Sequence, residues 1–394
     1  MIEWAYLVDL GSFTKMTEIL FLPYLNIPEP ISINQFTFSP YSIDELESNV
    51  DTQTRTLLNN HLEAFQDHGG RSIDRIVLLF FEGSPVIDDN ATLNDEISLL
   101  IDLLSFCGLS NRDFCNESGY NYCSKENFTL FRIPNMANPV MYTVITRRRD
   151  RIIRNMISYT EFKEIKQRIP EHVFIQDIKV DRKLLESLIT FKSIGEQKEW
   201  ENIYLGILNF NLANTDNTSI NERSEIVFLV SAFERLLHRG KDGESALAQN
   251  FTEIFPSLQK SEDQIENLFL IRNKISGKGK FGKCTSIPEI WIKDFFRLRG
   301  HLAHGRSLKD TSFTIWSLRE HLMIGSFIFP IVLNLKLSRK MNKDSFYVSI
   351  FEDIVCQENI FTSWSKVVGD AQQNLRTERL TRIEKEKVGA FPDN

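Results

Sequence analysis

The feature that most constrains this chain is a change of hydrophobic period near residue 181. Before it, apolar residues come in short runs bounded by Pro, Gly, Asn and Asp: Glu3–Leu10 (EWAYLVDL), Ile31–Ser39 (ISINQFTFS) and Arg75–Phe81 (RIVLLFF). These runs are rich in β-branched and aromatic residues, which suit a pleated, half-buried surface, so they read as strands. Asn127–Ile133, Val140–Thr146 and His172–Val180 are further expected strands. One helix is expected over Asn94–Phe106, where Ile97, Leu100, Ile101 and Leu104 recur at helical spacing. After residue 181 helical spacing takes over. It runs through Leu184–Ile189, Trp200–Leu208, Ile226–His238, Ala246–Phe255, Asp263–Lys274, Pro288–Ala303, Ser312–Lys336 and Ser345–Cys356. The pattern predicts an α+β chain. A β-rich domain over residues 1–185 precedes an all-α helical bundle over 186–371, and a charged tail covers 372–394.

Charge limits the partners. With 46 Lys and Arg against 53 Asp and Glu, the formal net charge is -7. A chain of that sign has no global attraction to a polyanion, so a nucleic-acid partner has to be drawn by local basic patches. Two such patches exist. Between Glu266 and Glu289 there is no acidic residue, and Arg272, Lys274, Lys278, Lys280 and Lys283 are interleaved with Gly277, Gly279 and Gly282. Lysines on a flexible loop can reach phosphates, although a solvated loop would look the same. The second patch is Arg147, Arg148, Arg149, Arg151 and Arg154. It suits RNA, an acidic interface or plain solvation.

The most apolar stretch, Leu322–Leu335 (LMIGSFIFPIVLNL), is shorter than a bilayer span and contains Pro330. It reads as a buried helix, and with no signal-peptide pattern at the N-terminus the expectation is a soluble, cytoplasmic protein without membrane partners. The five cysteines, at 107, 115, 123, 284 and 356, form no C-x-x-C pair. Reduced, scattered thiols are expected rather than disulfides or zinc.

The segment with chemical content is Phe295–Ser307, FFRLRGHLAHGRS. Arg299 and His304 form R-x-x-x-x-H, and Gly305 follows. Metal-free RNA cleavage needs a base for the ribose 2′-hydroxyl, a cation for the scissile phosphate and an acid for the leaving 5′-oxygen. Histidine titrates near neutrality and serves as base or acid. Arginine keeps its charge and grips phosphate oxygens in a fork. One such pair is half a set, and two copies meeting across a symmetric interface would complete it. On a straight helix, residues five apart lie roughly 140° apart around the axis, so a helix end near Ala303 would have to bring His304 round. His301 and His304 also make H-x-x-H, a zinc alternative that lacks the glutamate of H-E-x-x-H. His238 and His321 read as surface or helix-end residues.

An apolar helix leading into R-x-x-x-x-H and then Gly resembles the signature of the HEPN superfamily of ribonucleases. Ile226–Arg239 (IVFLVSAFERLLHR), with Glu234 inside an apolar stripe, is similar to that family's first helix. ESALAQNFTEIF resembles the next helix of the ApeA-like subgroup. The resemblance covers roughly residues 195–340. It implies a helical, dimerising, metal-independent endoribonuclease of the kind that acts in anti-phage abortive infection. It assigns Arg299 and His304 to the site, with Glu234 as their polar partner. The charge of the loop and its place just before the motif, rather than the resemblance, put Arg272, Lys274, Lys278, Lys280 and Lys283 toward RNA, tRNA included, and His301 reads as a helix-packing or substrate-side residue. No metal or other cofactor is implied. The expected partners are a second copy and a phage-derived trigger on the N-terminal domain. Many family members carry Asn or Asp directly after the arginine, where this chain has Gly300. A non-catalytic module binding RNA or protein is the alternative.

Overall fold

The structure is a computed structural model describing residues 17–43, 50–88, 91–112, 122–134, 141–147, 152–158, 166–238, 240, 243–254, 287–304 and 314–341. The expected strand Glu3–Leu10, the expected helices Asp263–Lys274 and Ser345–Cys356, and the charged tail lie outside the described residues. The fold is α+β. It divides into two compact units, Met1–Ile101 with Glu126–Asp177, and Asp102–Lys125 with Ile178–Asn394. The cut therefore falls between residues 177 and 178, and residues 102–125 count with the helical unit.

In the first unit, β1 (Thr17–Leu22), β2 (Ile31–Ile33), β3 (Phe36–Ser42), β5 (Arg75–Phe81), β6 (Val86–Asp88) and β7 (Phe131–Pro134) form one antiparallel sheet. Its order is β2-β3-β5-β1-β6, with β7 on the other edge of β1. β1 is the central strand, and Ile19, Leu20, Phe21 and Leu22 are all buried. Its apolar run is only those four residues, too short to tell from a buried helix segment by pattern, so TEILFL gave no clear strand signal. The expected strand Ile31–Ser39 is two strands, turned at Asn34 with φ 52°. Between β5 and β6, Glu82 and Gly83 both take positive φ, as a type I′ turn requires.

α1 (Thr52–Leu62), capped by Asp51, buries Leu58 and Leu62 into a cluster with Phe21, Phe65 and Leu78. β4 (Phe65–Gln66) pairs in parallel with β10 (Gln167–Arg168), and β8 (Met141–Arg147) pairs with β9 (Ile152–Ser158). The expectation for Asn127–Ile133 is corrected at its start: a 3-10 turn, Lys125–Phe128, takes its first two residues, and the strand begins at Phe131. His172–Val180 is not a strand either. Val173 and Ile178, the fully buried pair there, are an odd number of residues apart. A strand would aim them at opposite faces.

α2 (Ala91–Leu109) begins in the first unit and ends in the second. The helical unit continues with α3 (Arg182–Ile194), α4 (Gln197–Leu212), α5 (Glu222–Leu237), α6 (Glu244–Ile254), α7 (Ile287–Ala303) and α8 (Leu318–Lys340). Phe233 of α5 sits at its centre, with ring centroids 5.2–6.1 Å from Phe251, Trp291, Phe295 and Phe329. Gly325 lets α8 close on α5, since a Cβ there would lie 2.7 Å from Leu229 Cδ2. By length and composition α8 could cross a membrane, but 78% of its apolar window is buried inside the protein. Its start is later than the expected Ser312 because Ser317 and Glu320 form a capping box.

A polar cluster joins the ends of several helices. Arg112, 4% exposed, donates to the Cys123 carbonyl and to Asn214 Oδ1 and pairs with Asp216 at 3.6 Å. Near Asp216 lies Glu225, a buried residue whose carboxyl forms no hydrogen bond among the described residues. Burial first, then the Asp216 and Glu222 carboxylates, push it up to about 7, against an opposing pull from Arg112. A carboxyl whose folded pKa is raised stabilises the fold below its unfolded pKa of 4.5 and loses that contribution as pH climbs to about 7. Glu225→Gln should therefore raise the denaturation midpoint at pH 8, by up to about 3 kcal/mol in stability, and change little at pH 5. Equal shifts at both pH values would contradict this account.

Candidate functional site

α7 carries the motif. Its inner face, Ile290, Trp291, Asp294, Phe295 and Leu298, is buried, and that periodicity turns Phe296, Arg297, Arg299 and Gly300 toward the half-exposed side. Asp294 fixes the helix from within. It is wholly buried, and its Oδ2 accepts from the backbone N–H of Ile315 (2.8 Å) and of Trp316 (3.2 Å), with His321 Nε2 at 3.2 Å. The chain that leaves the motif is thereby bound back onto α7 where it enters α8. Phe295 stacks on the His321 ring at 5.1 Å, and Trp291 and Trp316 close the surroundings. Oδ1 of Asp294 is buried without a hydrogen-bond partner among the described residues, so the three donors to Oδ2 have a real desolvation cost to offset. The reading of His321 as a surface residue is corrected here: it is 0% exposed, because its ring completes the aromatic box and its nitrogen meets Asp294. His238, by contrast, is a helix end, the C-cap of α5.

Two ion pairs anchor the outer side of α7. Arg297 holds Glu244 of α6 in a fork, at 2.7 and 2.5 Å. Arg299 bonds Glu234 of α5 through Nη2, and its guanidinium lies over the Phe296 ring at 5.1 Å from the centroid. The side chains of Arg299 and Glu234 remain 28% and 30% exposed, so solvent and solutes reach the pair. The structure thus brings together Arg299 and Glu234, 65 residues apart in the chain.

His304 is exposed, one residue past the end of α7. Its backbone N–H still bonds the Gly300 carbonyl at 3.3 Å, so the last turn continues in helical phase. That phase leaves Arg299 and His304 roughly 140° apart around the axis, and no interaction joins them among the described residues. The expected bend that would carry His304 toward Arg299 is absent from α7 itself. His301 is half-buried. A Cβ at Gly300 would meet nothing within 4 Å, so packing does not demand glycine at that position.

Arg272, Lys274, Lys278, Lys280 and Lys283 lie outside the described residues, as do Arg148, Arg149 and Arg151 of the second basic patch. Arg147 and Arg154 are on the β8–β9 hairpin. Cys107 and Cys123 are free, buried thiols; burial raises both, Cys123 to about 12, which keeps them protonated rather than thiolate ligands. No group of three potential metal ligands occurs among the described residues.

Beside Glu234 opens a cleft of about 480 Å³ between α4, α5, α6 and α7, lined among others by Asn209, Ser231, Asn250 and Phe296. Sequence reasoning missed it, because its walls come from four helices and no spacing rule links them. Arg297–Glu244 and Asp294–His321 were missed for the same reason. No family model, curated protein or solved structure matches the chain; what the site can do is read from its own chemistry.

Asp294→Ala should destabilise the protein by about 3 kcal/mol or more, since it strips the imidazole and two backbone donors of their acceptor. Chemical denaturation measures it, and a loss below about 1 kcal/mol would mean that Asp294 does not hold the junction between α7 and α8.

Proposed function

We propose that this chain is a metal-independent endoribonuclease of the HEPN type, active as a homodimer in which Arg299 and His304 from two copies form one composite site. The observation that carries the reading is the presentation of the motif. Arg299 is held at the surface by Glu234 and Phe296, while His304 stands exposed at the end of the same helix. Both are accessible to a polyanion, and neither is sealed in the core. Their separation around the helix argues for completion across two chains rather than within one.

In the proposed reaction His304 takes the 2′-hydroxyl proton, or gives one to the leaving 5′-oxygen. The 2′-oxygen attacks the adjacent phosphorus and the bond to the 5′-oxygen breaks. Arg299 carries the charge that develops on the phosphoryl oxygens. The products are a 2′,3′-cyclic phosphate, or the 3′-phosphate from its hydrolysis, and a 5′-hydroxyl. Glu234 orients the guanidinium and restrains it until RNA competes for it. The lysine-rich segment before α7 would supply the local attraction that a chain of net charge -7 lacks overall. A cytoplasmic anti-phage effector fits this reading, with the β-rich unit binding a phage-derived trigger and licensing the helical unit.

A second reading has one observation in its favour. The Arg299–Glu234 pair already neutralises the arginine, as in a module that binds RNA or protein without cutting.

The deciding experiment is RNA cleavage by purified protein in EDTA. His304→Ala should lower the rate by about 10²–10⁴-fold with an unchanged denaturation midpoint, because the side chain is exposed. Cleavage at the same rate by wild type and variant would reject the assignment. A gel shift with no cleavage between pH 6 and 8 would favour the binding module.

A further inference from the structure

We propose that the cleft beside the Glu234–Arg299 pair takes a nucleobase, guanine in preference, and so selects which phosphodiester reaches that pair; the inference rests on the ribonuclease reading above. The cleft, about 480 Å³, falls within the range of pockets that enclose small organic ligands. Glu234 is common to the cleft wall and to the ion pair, so a base in the cleft places its own phosphate close to Arg299.

The wall is rich in acceptors. Ser231 gives its only hydroxyl proton to the Val227 carbonyl at 2.8 Å, leaving lone pairs. Asn209 and Asn250 each donate an amide N–H to a backbone carbonyl, of Leu205 and Leu237, both at 2.8 Å. Those bonds fix which end of each amide is nitrogen. Oδ1 of both is left without a donor among the described residues, and Asn250 is only 9% exposed. Glu234 uses Oε1 on Arg299, and its second oxygen accepts nothing among the described residues.

Four oxygens therefore await donors. Guanine offers the N1 and N2 N–H groups side by side on one edge. Adenine and cytosine offer one amino group each. Uracil offers a single N–H between two carbonyl oxygens, which would face these acceptors lone pair to lone pair. Phe296 supplies an aromatic face for stacking. Arg235, exposed at the same cleft and in no ion pair among the described residues, can reach the adjoining phosphate.

The test is calorimetric titration of the full chain, in EDTA, with 5′-GMP, 5′-AMP, 5′-CMP and 5′-UMP, and cleavage-site mapping on a mixed-sequence RNA. GMP should bind about tenfold more tightly than UMP. Asn209→Leu, on the partly exposed side of α4, and independently Ser231→Ala, should bring the two close to parity. Cut sites next to guanine in wild type should spread to other bases in Asn209→Leu. Equal binding of all four nucleotides, binding of none, or a preference that survives both substitutions would overturn the proposal. Guanine selectivity in a protein that never cuts RNA would remove the nuclease reading and leave the pocket standing. Cleavage without base preference would do the reverse.

Discussion

Asp294 is a carboxylate with no access to water, set among two tryptophans, a phenylalanine and a histidine. A group of that kind is tolerated only where donors converge on it. Here they come from Ile315, Trp316 and His321, all beyond the motif in the chain. The consequence is a closed circuit: α7 emerges from the core carrying Arg299 and His304, and the chain is returned to the same helix at the start of α8. The position of the motif is set by that buried contact more than by anything on the surface.

Around it the helical unit packs through aromatic rings. Phe233 on α5 touches rings from α6, α7 and α8, so the helix bearing Glu234 and the helix bearing Arg299 are fixed by one hydrophobic contact. Burial at Phe233 and ion pairing at the next residue, Glu234, follow from helical phase: adjacent residues lie about 100° apart around the axis, one toward the core and one toward the rim. The outer pairs, Arg297–Glu244 and Arg299–Glu234, are part-exposed and add little to stability. Their effect is orientation. Each takes a long, flexible cationic side chain and gives it a preferred direction.

Some of this was legible in the chain and some was not, and the division has physical causes. Helices with a one-sided apolar face, such as Glu222–Leu237 and Ile287–Ala303, announced themselves through spacing. So did β5, RIVLLFF. β1 did not, since its apolar run is only Ile19–Leu22, too short to tell from a buried helix segment, and α1 was hidden by its polar surface, TQTRTLLNNHL, in which few apolar residues mark the buried face. His172–Val180 misled because its β-branched and aromatic residues suit a strand, whereas among the described residues the chain there makes only an isolated bridge, Asp177 to Asn26. At the site, Arg299 was named from a local pattern and Glu234 from a family resemblance, but that they touch was not legible. His321 looked like a surface residue because its partner lies 27 positions away.

The sequence alone determined the order of the two halves, β-rich and then helical, because strand and helix impose different periods on apolar residues and those periods are local. It also determined the residue types available for chemistry: an arginine, a histidine and a glutamate on two amphipathic helices. Tertiary structure decided which charges meet, that His321 and Asp294 are buried together, and that four helices enclose a polar cleft beside Glu234. These are outcomes of how helix faces pack across tens of residues, and no spacing rule along the chain encodes them.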